Sequence, residues 1–253
     1  SINEDYSAIE AAVYCVGGWG DAYSVAIPRM IQGLTGPKKA LIGPWAHKYP
    51  NFASPKPEMD FLAEAKRWWD YWLKGIKNGI MDEAVIAAYI QDSVPPQSIY
   101  EERPGLWVEG NQWPIQSQTI DYNLSSSGQL TDAKTKGKVS VQSPLTTGAA
   151  SGEYCVIWCG PDFPTDQRQD DINSICFDTE PLENSISLLG ASELKLAITS
   201  DQDCGQVVVR LCDVSPSGSS KRISYGVLNL AMRDGLDSPK QVVAGEVMNL
   251  TIK

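Results

Sequence analysis

A chain of 253 residues with 42% hydrophobic and 21% charged residues has the material for a packed core and does not read as disordered. Its 31 Asp+Glu against 21 Lys+Arg give a formal charge of −10, which argues against nucleic acid and anionic membrane surfaces as partners. The single histidine excludes a multi-histidine metal centre within the chain, and no run reaches the roughly 18–20 apolar residues that span a bilayer. Neither a metal nor a cofactor is expected.

Residues 11–16 (AAVYCV) form a short apolar run closed by Gly17-Gly18, the pattern of a strand buried on both faces. Residues 24–34 suit a short helix with Pro28 in its first turn, stopped by Gly36-Pro37. Residues 39–42 read as a second buried strand, closed by Gly43-Pro44. Strand, helix and strand with such loops make a βαβ unit and imply parallel pairing. A polar, proline-rich loop follows His47. Residues 59–76 are the clearest helix: Phe61, Ala65, Trp68, Trp69, Trp72, Leu73 and Ile76 recur at three- and four-residue steps, with Glu64, Lys66, Arg67, Asp70 and Lys74 on the other side. Gly75 and Gly79 end it. The tryptophan stripe is expected to be a packed core face rather than a ligand box.

The character changes near Ile80. Residues 85–90, 106–109, 154–158, 185–189, 193–199, 206–214, 227–232 and 246–252 read as strands, separated by turns rich in Gly, Pro, Ser and Asp. Residues 1–80 therefore read as the α/β part and residues 81–253 as an antiparallel β-sandwich or jelly roll. The six cysteines (Cys15, Cys155, Cys159, Cys176, Cys204 and Cys212) have no C-x-x-C spacing and lie in apolar runs. They are expected to be small buried residues in a reducing compartment, which points to the cytoplasm, with a disulfide in an exported protein as the alternative. Cys155 and Cys159 would share one sheet face, but two further zinc ligands could not be placed beside them.

Two loops carry candidate chemistry: Gly17-Gly18-Trp19-Gly20-Asp21-Ala22-Tyr23 and Gly43-Pro44-Trp45-Ala46-His47, each at the C-terminal end of an expected strand. Open parallel sheets bind ligands there. Adjacent strands would bring Asp21 to His47, and a carboxylate beside an imidazole fixes its tautomer and stabilises the imidazolium formed on proton uptake. Against this, an Asp after a Gly-rich turn is usually a turn or cap residue, and a lone loop histidine is usually just solvated.

GGWGDAY, GPWAH and FLAEAKRWWDYWLKG resemble the second half of the catalytic domain of X-Pro dipeptidyl-peptidase and cocaine-esterase (CocE/NonD) hydrolases. LWVEGNQWP, FDTEPLENSISLLGASELKLAITSD and VRLCDVSPSGSSKRIS resemble the β jelly-roll, galactose-binding-like domain that follows in that family. The resemblance covers essentially the whole chain. It implies the C-terminal part of an α/β-hydrolase domain (1–80) followed by a jelly roll (81–253) that stops short of its last strands. It also implies a serine hydrolase acting on acyl esters or peptides, with Asp21 as triad acid, His47 as triad base and Tyr23 at the acyl pocket. Trp19 and Trp45 are expected to pack around the loops.

The expected nucleophile is missing. No G-x-S-x-G elbow occurs, and Ser192 and Ser219 follow the His in β-rich or turn segments. The expectation is an internal piece of a longer hydrolase, inactive alone because loss of the nucleophile costs on the order of 10⁶ in turnover. Two other readings compete: a binding module presenting Trp107, Trp113 and Trp158, and a degenerate hydrolase retained for assembly. A homo-oligomer is expected, with a small-molecule acyl ester or peptide as substrate.

Overall fold

A computed structural model describes residues 5–115, 117–155 and 163–253. The chain divides into two compact units, Ser1–Gly190 and Ala191–Lys253.

In the first unit, strand β1 (Val13–Gly18), helix α1 (Ala26–Gly33) and strand β2 (Lys38–Gly43) form the expected βαβ unit, with β1 and β2 parallel and Cys15 opposite Ala40. After a 3-10 turn (Pro50–Phe52) comes helix α2 (Phe61–Lys74). Strand β3 (Ile86–Gln91) adds parallel to β2, and β4 (Gly105–Gly110) adds antiparallel to β3. The resulting sheet runs β1-β2-β3-β4 and therefore contains strands from both sides of Ile80. Both faces are covered, as period-two alternation in β2 requires. Ala40 and Ile42 pack with Cys15, Ile86 and the α1 residues Ile27 and Ile31. Leu41 faces the other way, with Trp45, Ala53, Tyr14 and Val16. The unit continues through the two-residue strands β5 (Asn123–Leu124) and β6 (Leu130–Thr131), which pair antiparallel, and the single-turn helix α3 (Arg168–Ile172).

The second unit holds two antiparallel pairs. Strand β7 (Leu194–Ile198) pairs with β10 (Met248–Ile252), and β8 (Gln206–Val214) pairs with β9 (Ser220–Asn229) through a register shift at Leu211/Cys212. Leu196 and Ile198 of β7, Met248 and Leu250 of β10, Val207 of β8 and Leu228 of β9 share one apolar core with Leu230 and Val242. The whole is sheet-dominated with few helices.

Several expectations need correction. The α2 stripe is not a buried face: Trp68 is 4% exposed, but Trp69 is 53% and Leu73 73% exposed. Trp68 packs against Tyr14 of β1 and against Trp72. Of the described cysteines only Cys15 is buried; Cys155 and Cys212 are intermediate, and Cys176 and Cys204 are exposed. Residues 185–189 form no strand, and Tyr154-Cys155 lie in a bend, while Cys159 and Trp158 fall outside the described residues. β9 begins at Ser220, earlier than expected, because the polar run Ser220-Lys221-Arg222 is carried into the ladder by pairing with the apolar strand β8.

Candidate active site

The two glycine loops leave adjacent parallel strands at the same sheet edge. Backbone bonds stitch them together: Trp19 N donates to Gly43 O at 2.9 Å, and Gly20 N donates to Trp45 O at 2.9 Å. This approach needs glycine. A Cβ on Gly18 would lie 2.0 Å from the Trp45 carbonyl oxygen. The loops are further anchored from below, where Trp45 is fully buried and its indole donates to Pro57 O at 2.7 Å. The Trp19 indole donates to Tyr89 O at the same distance. Both tryptophans pack as expected.

With the loops held this way, Asp21 and His47 meet: Asp21 Oδ2 lies 2.7 Å from His47 Nδ1. The second carboxylate oxygen, Oδ1, accepts from Tyr23 N at 2.8 Å, and Asp21 N donates to Gly18 O at 3.1 Å, so the acid is fixed by its own turn. The Asp21 side chain is 12% exposed and that of His47 43% exposed, which leaves the imidazole open on its far side. A carboxylate at Nδ1 places the ring proton on that nitrogen and leaves the Nε2 lone pair free to accept another. The Tyr23 ring sits 5.9 Å from the His47 ring, centroid to centroid. A cleft of about 310 Å³ runs along the outer edge of β1, which pairs with no further strand among the described residues, to Asp21 and Tyr23.

Two neighbours of this pair were not legible in the sequence. A Cβ on Gly20 would come within 2.8 Å of the Phe163 ring, so Phe163 closes over the first loop. One ligating atom each of Asp21, His47 and Cys155 lie within 4.8 Å of one another. Both Cys155 and Phe163 come from far along the chain, where no spacing rule links them to the loops. Of the tryptophans considered for a binding platform, Trp107 packs against Trp45 and Tyr89, and Trp113 against Trp19.

Residues 78–253 match the family of the X-Pro dipeptidyl-peptidase C-terminal non-catalytic domain. The chain belongs to this family. The Asp21–His47 pair lies upstream of the matched segment, in the remainder of the chain that its relatives also share. The Mycobacterium bovis protein named "Putative serine esterase Mb1866c" is 28% identical over 260 residues, covering 94% of this chain and 39% of that protein. The cocaine esterase of a Rhodococcus species is 20% identical over 281 residues, covering 100% of this chain and 46% of that enzyme. Among solved structures, an α-amino acid ester hydrolase aligns with a TM-score of 0.63 at 17% identity, over 96% of this chain and 44% of that one. A CocE/NonD family hydrolase from Staphylococcus aureus aligns with a TM-score of 0.57 at 12% identity, over 96% and 43%. These structures speak to the fold. The chain spans less than half the length of each of these relatives and corresponds to the C-terminal portion of the X-Pro dipeptidyl-peptidase and CocE/NonD hydrolases. Among the described residues, no helix is long and apolar enough to cross a membrane.

Proposed function

We propose that this chain supplies the acid and base of a Ser-Asp-His hydrolase that cleaves acyl ester or peptide bonds. The observation that carries the reading is the 2.7 Å contact between Asp21 Oδ2 and His47 Nδ1 beyond the carboxyl ends of two parallel strands. In this reading β1, β2 and β3 are the last parallel strands of an α/β-hydrolase sheet, and the outer edge of β1 receives a strand from the length of the relatives that this chain does not span. The catalytic part is taken to end near Ile80, with β3 and β4 continuing its sheet, and the rest of residues 81–253 to form the jelly-roll, galactose-binding-like part.

The nucleophilic serine comes from the length of the relatives that this chain does not span. It attacks the substrate carbonyl, and its proton passes to His47 Nε2. Asp21 stabilises the imidazolium through Nδ1, and His47 then returns the proton to the leaving group. Water deacylates the enzyme by the same relay. Tyr23, two thirds exposed beside the imidazole, lines the acyl pocket.

The test uses the full open reading frame that contains this chain. Wild-type protein is expected to react with a fluorophosphonate probe at a serine outside residues 1–253 and to hydrolyse p-nitrophenyl acetate. His47→Ala is expected to lower kcat by on the order of 10⁴–10⁶. Unchanged turnover in that variant rejects the reading.

A further inference from the structure

We propose that Asp21, His47 and Cys155 form a binding site for a thiophilic divalent cation of the Zn²⁺ class. The three side chains offer one carboxylate oxygen, one imidazole nitrogen and one thiol sulfur, all within 4.8 Å of one another. Carboxylate, imidazole and thiolate are the usual zinc donors, and a tetrahedral zinc sets them roughly 3.3–3.6 Å apart, given its bond lengths of about 2.0–2.3 Å. The Asp21–His47 pair, at 2.7 Å, has only to part by about half an ångström as the cation replaces the shared proton. Cys155 has to approach by up to about 1.3 Å, and it sits in a bend rather than in a strand ladder.

Charge and access agree with this donor set. A carboxylate and a thiolate neutralise a dication, with the imidazole neutral. The bond from Tyr23 N holds Asp21 Oδ1, leaving Oδ2 to face the ion, which is the outer support that ligating carboxylates usually have. His47 is the exposed member of the trio, so the ion has a way in from solvent and water can take the fourth position. Among the described residues no other His/Cys/Asp/Glu trio meets these distances. The expectation of no metal rested on having one histidine and no clustered cysteines; Cys155 reaches the pair from far along the chain.

The site shares two residues with the proposed catalytic pair, so in a working hydrolase the cation would occupy the base and inhibit. Binding itself is read without catalysis and stands or falls apart from the hydrolase reading. The metal-stripped 253-residue chain is titrated with Co²⁺ and followed by absorption. One equivalent is expected to produce a thiolate-to-Co²⁺ charge-transfer band with the intense d–d absorption of a four-coordinate ion, both bleached by Zn²⁺.

Cys155→Ser is expected to lose the charge-transfer band. His47→Ala is expected to weaken binding by more than the roughly 10–100-fold cost of losing an outer-shell partner. Cys204→Ser, at an exposed cysteine outside the trio, is expected to behave as wild type. Cys155→His restores a third ligand and is expected to bind Co²⁺ without the thiolate band, which keeps the test decisive if the serine variant folds poorly. The proposal is overturned by a wild-type chain that shows no band, by a band that survives Cys155→Ser or Cys155→His, or by one that disappears in Cys204→Ser.

Discussion

Gly18 decides how close the two strand-end loops come. A Cβ there would meet the Trp45 carbonyl oxygen at 2.0 Å, and this oxygen is already committed to Gly20 N. The backbone of a buried residue cannot yield as the tip of a flexible side chain can, so Gly18→Ala is expected to push the loops apart and cost about 1–3 kcal/mol. Urea unfolding measures the cost. The NMR signal of the His47 Nδ1 proton, expected far downfield in the wild type because of the 2.7 Å carboxylate contact, should move back toward the free-imidazole position. A variant with wild-type stability and an unmoved signal would show that the glycine is incidental. The glycines, Asp21 and His47 were legible because strand-end loops of neighbouring parallel strands must face the same way. Cys155 and Phe163 were not, because nothing in the sequence around either residue says which loop it will meet.

At the scale of the element, helix α2 shows how far periodicity reaches. Its ends follow from chemistry visible in the sequence: Asp60 accepts from Ala63 N at 3.0 Å as N-cap, and Gly75 ends the helix at φ 70°, the left-handed conformation that glycine adopts without a Cβ penalty. Lys66 and Lys74 flank Asp70 one turn away on either side and hold its carboxyl below the usual range by hydrogen bonding. The apolar stripe was equally visible, but periodicity says which residues share a face and not what covers it. Leu62, Trp69 and Leu73 are each more than half exposed. An apolar face of this kind favours association, and we propose that it joins copies of this chain. Trp69→Lys with Leu73→Lys is expected to make the isolated chain more monodisperse by sedimentation equilibrium. Stability should move by only about 0.5 kcal/mol per site, as exposed positions allow. Self-association unchanged by both substitutions would remove this face from the account.

Across the first unit, one charged network ties the sheet to the helix above it. Tyr14 of β1 donates to Glu64 of α2 at 2.8 Å, Arg67 bonds Glu64 at 2.7 Å and also Glu83, and Lys39 of β2 bonds Glu83 at 2.9 Å and Ile80 O at 3.0 Å. Lys39 is only 5% exposed, so its ammonium depends on these partners. Burial and the Glu64 carboxylate push the Tyr14 hydroxyl far up, so it remains a neutral donor. Burial alone would raise Glu83, but hydrogen bonds and charge from Arg67 and Lys39 outweigh it and hold the carboxyl below its ordinary 4.5. A carboxyl depressed in the folded state contributes stability that is fully present above its unfolded value and is lost as pH falls through the folded one. The urea midpoint is therefore expected to be flat above about pH 5 and to fall progressively below pH 4.5. Glu83→Gln should be less stable than wild type at pH 7, because it leaves Lys39 and Arg67 without their shared anion, and should lose less than wild type on acidification. Equal acid slopes in the two proteins would show that the acid sensitivity arises at carboxylates outside this network.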